Sequence, residues 1–552
     1  MSHRRISATL VTGVLVASTL LIGLPVLLAA PASAADIPVT SGDDDGPDTL
    51  RQAVAAANAL SGDDLIVIDP SVGTISLASP LTITDGVAIQ GNGTTVTRTD
   101  SFDMVVIDLA TPGAVELDSL NFQPEADTIG RAVFATSATP DSLTITDSTF
   151  TGFNSNDGYI EYTSTTEPGG AVRLEAGDLH VSGSTFDSNS SYAEGGAISV
   201  GTITGDSSIM RSTFSNNFTI ALNNTGGAGL AVGTINPDAT LTVAQSYFVG
   251  NGSTATRRTG FRGIGMHVTT VQGSLVVDSS TFDHQYLELP DTAPGPMSGW
   301  SVGIGRVAAG GSARIVDSTF DEPAIGDVNL TIYVVAVGTV EADASLTLEH
   351  STSVGDGTLS IDDNRGTSVV RNTIADGIDA PNAIMARAGA PIPVQYSLLS
   401  SPFNPAYVTD VAGNQFDVLD MRLQPLAYNG GPTPTMMIGP VGPAVGTGMP
   451  VALPGEPTLE QRGTGYLRRS GLLDIGAVEL PGELPTLPFD EPPTPATPAL
   501  AATGSVLPAA ALPLGVGVLL LGGLLLLGGQ VRRAASSASS VTGRRHTKSS
   551  QR

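Results

Sequence analysis

Between residues 140 and 320 one alternating phrase keeps returning. It reads LTITDSTF (143–150), LHVSGSTF (179–186), SIMRSTF (208–214), LTVAQSYF (241–248), LVVDSSTF (275–282) and ARIVDSTF (313–320). Its first half alternates apolar and polar residues, the period of a half-buried strand. Its second half is a short polar segment ending in an aromatic, followed by the turn residues Asn, Asp, Gly and Ser. A second short strand then appears as GGAVRL (169–174), GGAISV (195–200), GGAGLAV (226–232), GIGMHV (263–268) and GIGRV (303–307). The terminal Phe residues are 36, 28, 34, 34 and 38 residues apart, with weaker echoes at 117–122, 346–353 and 368–374. An irregular repeat of this length predicts a solenoid, and no long amphipathic helix interrupts it.

Short strands, frequent turns and a variable period predict an all-β chain, specifically a right-handed parallel β-helix. Stacking coils at the strand spacing places equivalent residues in columns. Phe150, Phe186, Phe214, Phe248, Phe282 and Phe320 are therefore expected to form an interior aromatic ladder. Residues 66–400 would make roughly 11 coils and a rod of about 55 Å. The exposed strand edge at each end needs a cover. At the N-terminal end, 35–65 is the candidate: Asp48 or Pro47 opens a short helix whose Leu50, Val54 and Ala57 share a face, and Gly62 follows its end. This stretch resembles the opening cap of bacterial secreted β-helix proteins. Within it SGDDDG (41–46) raises calcium as a cofactor. The EF-hand spacing fails at Ser41, so the stretch reads as a solvated turn.

The two ends of the chain read as addresses. Residues 1–34 have a basic start at Arg4 and Arg5, an apolar run over 10–28 and the small-residue site Ala32-Ser33-Ala34. That is the pattern of a signal peptide cleaved after Ala34. At the other end, 481–499 holds seven prolines and favours an extended stalk. Leu500-Ala501-Ala502-Thr503-Gly504 follows. Residues 505–529 form an uncharged apolar run long enough to span a bilayer, and 530–552 form a basic tail that the positive-inside rule places in the cytoplasm. Pentapeptide, apolar span and basic tail in that order resemble the cell-wall sorting signal of Gram-positive bacteria, in the LAxTG form seen in actinobacteria. The resemblance implies a sortase as partner. It would cut between Thr503 and Gly504 and join the Thr503 carboxyl to peptidoglycan, with the apolar run a membrane hold until then.

Two further resemblances concern the body. GGAI (195–198), GGAV (169–172) and the FxxN pairs Phe153–Asn156, Phe186–Asn189, Phe214–Asn217 and Phe248–Asn251 are similar to the repeats of chlamydial polymorphic membrane proteins, which implies a surface-exposed, adhesin-like role. In 401–480, the run LQPLAYNGGPTPTMMI (423–438), GPAVGTG (442–448), EQRGTGY (460–466) and DIGAVE (474–479) resembles the choice-of-anchor region that follows β-helices in bacterial surface proteins. The family's SPAIDAG has Asp where this chain has Gly446.

Charge and composition narrow the chemistry. The net charge is −28. Arg4, Arg5, Arg532, Arg533, Arg544, Arg545, Lys548 and Arg552 lie in end segments without a single acid, so the body between them is more acidic still. Such a body repels phosphate backbones and excludes nucleic acid as a natural partner. With no cysteine there is no disulfide, thiolate metal site or cysteine nucleophile. Asp362 and Asp363, with Arg365 and Arg371 close in sequence, are the best polar cluster. The histidines are scattered. His180 and His267 alternate outward, and a surface position is expected for each histidine. The expected function is that of a wall-displayed adhesive or structural rod binding a glycan or protein ligand. The alternative is a polysaccharide lyase or glycoside hydrolase of the pectin-lyase-like type. Three or more carboxylates converging in one groove on adjacent coils beside an Arg would favour the second.

Overall fold

The computed structural model describes residues 36–60, 62, 64–136, 140–155, 168–221, 226–255, 263–288, 301–322, 333–377 and 381–480. Ala34, the stalk, the LAATG motif, the apolar run and the basic tail lie outside them. The described residues form a right-handed parallel β-helix. One coil illustrates the others. Ile198–Ile203 lies on a first face, Asp206–Met210 on a second, Thr213–Ser215 on a third and Phe218–Ala221 on a short fourth. The next coil begins at Leu230–Ile235, paired parallel and in register, Ile198 to Leu230 and Val200 to Val232. Strand Val172–Ser182 pairs with both Ile198–Ile203 and Asp206–Met210, and so joins the first two faces into one 24-stranded sheet. The third face has 12 strands, about 53 Å of stacking at the usual spacing.

In-register stacking turns each repeat position into a column. Seven rings, Phe122, Phe150, Phe186, Phe214, Phe248, Phe282 and Phe320, stack with centroids 4.6–5.3 Å apart and planes within 16°. The faint echo at 117–122 is thus a full member, and the column ends at Ser353, opposite Phe320. We expect Phe214→Leu to cost about 2 kcal/mol, from lost buried ring and stacking on both sides. Chemical denaturation measures it, and an unchanged midpoint would mean the ladder contributes nothing there.

The polar letters of the phrase are columns too. The residue before the Ser turns the corner in the left-handed region: Asp147, Arg211, Gln245, Ser279, Asp317 and His350 have φ of 47–51°. The Ser that follows is buried. Each of Ser148, Ser184, Ser212, Ser246, Ser280 and Ser318 donates its N–H to the Oγ one coil on, at 3.1–3.4 Å. The next corner carries an amide column. Asn189 and Asn217 donate Nδ2 to the Oδ1 of Asn217 and Asn251, each at 3.0 Å. Where the strand returns to the first face, Gly195 has φ 70°, and a Cβ there would lie 2.3 Å from the Ile198 carbonyl oxygen, which is why the GGA phrase needs its first glycine.

The N-terminal cover is helix Leu50–Ala57, which buries Leu50, Ala53, Val54 and Ala57. Its N-cap is Thr49, whose side chain accepts from the Gln52 N–H, and not Asp48 or Pro47. Asp48 instead sits at φ 59° and donates its N–H to Gln52 Oε1. At the other end the last strand is Val408–Ala412. Beyond it, the chain runs back along the third face as far as Tyr247, which Tyr428 meets edge-on, and then forward again to residue 480. Thr281 donates to the Pro434 carbonyl, Thr319 to Gln461 Oε1, and Thr352 Oγ1 accepts from the Ala477 N–H. These three threonines are fully buried, whereas Thr149, Thr185 and Thr213 in the same column are half-exposed.

Candidate functional site

The densest charge lies where this return meets the last coils. Asp278, Glu349 and Arg371 fall in one column of the second face, and Asp317 turns the adjacent corner. Three carboxylates, Asp278, Asp317 and Glu349, therefore converge on neighbouring coils beside arginines, as the enzyme alternative expects, but Asp317 and Glu349 are buried in ion pairs. Arg468 of the return is fully buried. It pairs with Asp317, with Glu479 at 3.1 Å, and with the carbonyls of Gly476 and Ala477. Burial pushes Asp317 and Glu479 up to about 8 although Arg468 pulls both down. One cation serving two buried carboxyls leaves a proton on the pair to near neutrality. Beside them, Glu460 holds Arg462, which stacks 4.0 Å from the Tyr466 ring, and Gln461 reaches Thr281, Thr319 and Thr433. The QRG and DIGAVE elements thus clamp the return to the rod. Gly446, at φ 63°, donates its N–H to Asp474.

Next to the clamp a cleft of about 260 Å3 opens between the coils and residues 453–456. Glu349, with 4% of its side chain exposed, lies between two guanidiniums. Arg314 reaches it at 2.5 Å from one side, and Arg371 Nε donates from the other. His350 lines the same cleft and is buried, with Nδ1 lacking a hydrogen-bond partner. Burial and then the charges of Arg468, Arg371, Arg469 and Arg314 hold its pKa well below the usual imidazole range, so it is neutral.

The histidine reading needs correction. His350 and His267 are 1% and 3% exposed, not surface residues. His350 is buried because it occupies a corner that the C-terminal return covers, and the alternation of one strand cannot report that. His180 does face outward, half-exposed, 3.1 Å from Ser208 Oγ. The Asp362–Asp363 cluster divides. Asp363 pairs with Arg365 and Asp362 lies 3.5 Å from Arg387, all partly exposed, while Arg371 belongs to Glu349 instead. In SGDDDG, Asp43 accepts from Ser41, Asp44 holds Arg51 at 2.6 Å and Asp45 accepts the Gly46 N–H.

Among the described residues, Asp283, His284 and Asp321 bring three ligand atoms within 4.8 Å of one another. The two aspartates are in register on adjacent coils, and Tyr247 donates to Asp283 at 2.6 Å. Two oxygens and an imidazole suit a first-row transition ion better than calcium, which takes six to eight oxygens. Sequence reasoning missed this trio because the TFD phrases at 281–283 and 319–321 meet only through register.

No protein-family model matches the chain, and no curated protein matches it. Among solved structures it is similar to the alginate lyase AlyF-OU02 in complex with G6, at 13% identity and TM-score 0.34 over 72% of this chain and 92% of that one. It is also similar to a PL6 alginate lyase in complex with a trisaccharide, at 12% identity and TM-score 0.30 over 71% and 91%. Likeness at this level leaves function to the geometry of the chain itself, which is that of a parallel β-helix.

Proposed function

We propose that this chain is a surface-displayed rod that binds a glycan or matrix ligand along its hydroxyl-rich faces, and that LAATG joins it to peptidoglycan at Thr503. The observation that carries the binding reading is the fate of the converging carboxylates. Of the three, Asp317 and Glu349 are buried in ion pairs with Arg468, Arg314 and Arg371. Among the described residues that leaves only the half-buried Asp278 outside an arginine ion pair, and no pair of carboxylates to flank a sugar bond. The half-buried columns hold hydroxyls and one imidazole instead: Thr144, His180, Ser208 and Thr242 on the second face, and Thr149, Thr185 and Thr213 on the third. Their repeat is the strand spacing, close to the rise of one sugar in an extended glycan, so successive units could meet equivalent partners.

The test pairs a glycan and matrix-protein binding screen with an activity assay on acidic polysaccharides. The expected result is binding without new chain ends, weakened when Thr144 and Thr242 become Lys. Release of unsaturated or reducing ends would overturn the binding reading and favour the lyase or hydrolase. For the attachment, mass spectrometry of wall digests should find Thr503 joined to a peptidoglycan fragment. Surface protein retaining residues 504–552 would overturn it.

A further inference from the structure

The cleft beside the clamp has three properties that internal packing does not require. First, its charges do not cancel. Glu349 answers two guanidiniums, and the other carboxylate on the wall, Glu456, is already held by Arg469 at 2.5 and 2.9 Å and by the Leu453 N–H. Second, its donors are not used up. Arg371 gives only Nε to Glu349, so among the described residues its two terminal amino groups have no hydrogen-bond partner. Arg314 gives Nε and Nη2 to Glu349, and Nη2 also to the Gly455 carbonyl, leaving Nη1. Third, His350 lines the cavity, and its Nδ1, closed to solvent behind that wall, lacks a hydrogen-bond partner.

From these features we infer that the cleft between Arg314, Arg371 and His350 on the rod and Leu453–Pro454 on the return is a binding site for an organic carboxylate. The free fork of Arg371 offers a planar two-donor edge of the kind that matches a carboxylate. The excess of one positive charge suits a monoanion, and the Glu349 and Glu456 carboxylates on the walls disfavour a dianion such as phosphate. Leu453 and Pro454 give the opposite wall an apolar surface for a carbon skeleton. At about 260 Å3 the space is below the usual range for drug-sized ligands, so it takes a small acid or one acidic unit of a longer chain. The site is independent of whatever the exposed columns of the rod bind.

Isothermal titration of the full chain at pH 7 and low salt tests this, with butyrate, butyramide, glucuronate, glucose and inorganic phosphate as probes. Butyrate or glucuronate should bind and the neutral partners should not. Butyrate alone identifies a free aliphatic acid, and glucuronate alone identifies a sugar acid unit. Arg371→Gln should weaken binding at least about tenfold, a loss of about 1.4 kcal/mol. Arg371→Lys, which keeps the charge but not the fork, should fall between. If Arg371→Gln proves unstable, the wild-type protein still decides. The His350 imidazole proton resonance should move on adding the bound acid and stay still on adding butyramide. A still His350 resonance with both acids, or phosphate binding as tightly as butyrate, would overturn the assignment.

Discussion

Arg468→Ala should destabilise the protein by about 3–5 kcal/mol, because it leaves buried carboxyls without their cation. The arginine is 0% exposed and joins Asp317, 151 residues earlier, to Glu479 and to two carbonyls of the return. Asp317 and Glu479 already sit at about 8 with Arg468 present, and without it both rise further. Carboxyls raised in the folded state favour folding below their unfolded pKa near 4, and that contribution is lost as pH rises through the folded value. The variant should therefore be closest to wild type near pH 5 and furthest from it above pH 8. Denaturation at the two pH values gives the difference, and limited proteolysis should show cleavage within 413–480 only in the variant. A deficit that does not depend on pH, with the return still protected, would mean that Arg468 does not hold it.

Glu322→Gln should do the opposite and stabilise the protein at alkaline pH. Glu322 lies one position before the amide column of Asn189, Asn217, Asn251 and Gln285, and its carboxylate takes the acceptor place that an amide holds on those coils. It is 1% exposed, accepts the Gln285 N–H at 2.9 Å and is bonded to Ser301. Burial outweighs those hydrogen bonds and pushes its carboxyl up to about 8. By the same linkage, Glu322 alone removes several kcal/mol, to order of magnitude, as pH rises from its unfolded pKa near 4.5 through 8. An amide keeps an acceptor for Gln285 and has no proton to lose. Thermal melts from pH 5 to 9 should slope downward for the wild type and less steeply for Glu322→Gln, the remaining slope belonging to Asp317 and Glu479. Equal slopes would show that Glu322 is not the group that titrates.

The coil interior was legible because each position is read many times. A strand alternates with period two, and every inward residue lies on its own equivalent one coil earlier, so Phe150 and Phe186 announce each other without any knowledge of the rest of the chain. The GGA and FxxN phrases are legible for the same reason, since each marks a corner that recurs. The buried serine column was present in every STF-like phrase, but a lone Ser carries no burial signal until register stacks it. The Asp283–His284–Asp321 trio was hidden in the same way.

The chain by itself determined the β-helix, its aromatic column, its helical cover and the acidic balance of its surface, because these follow from local periodicity repeated along the sequence. Only the tertiary structure decided where the C-terminal return lies, and with it which threonines of one column are buried, why His350 is neutral and why the converging carboxylates are closed off. Arg468 and Asp317 do not repeat, and 151 residues separate them. A contact made once between distant residues leaves no period to read, and its energy comes from shared burial that exists only after both segments have folded.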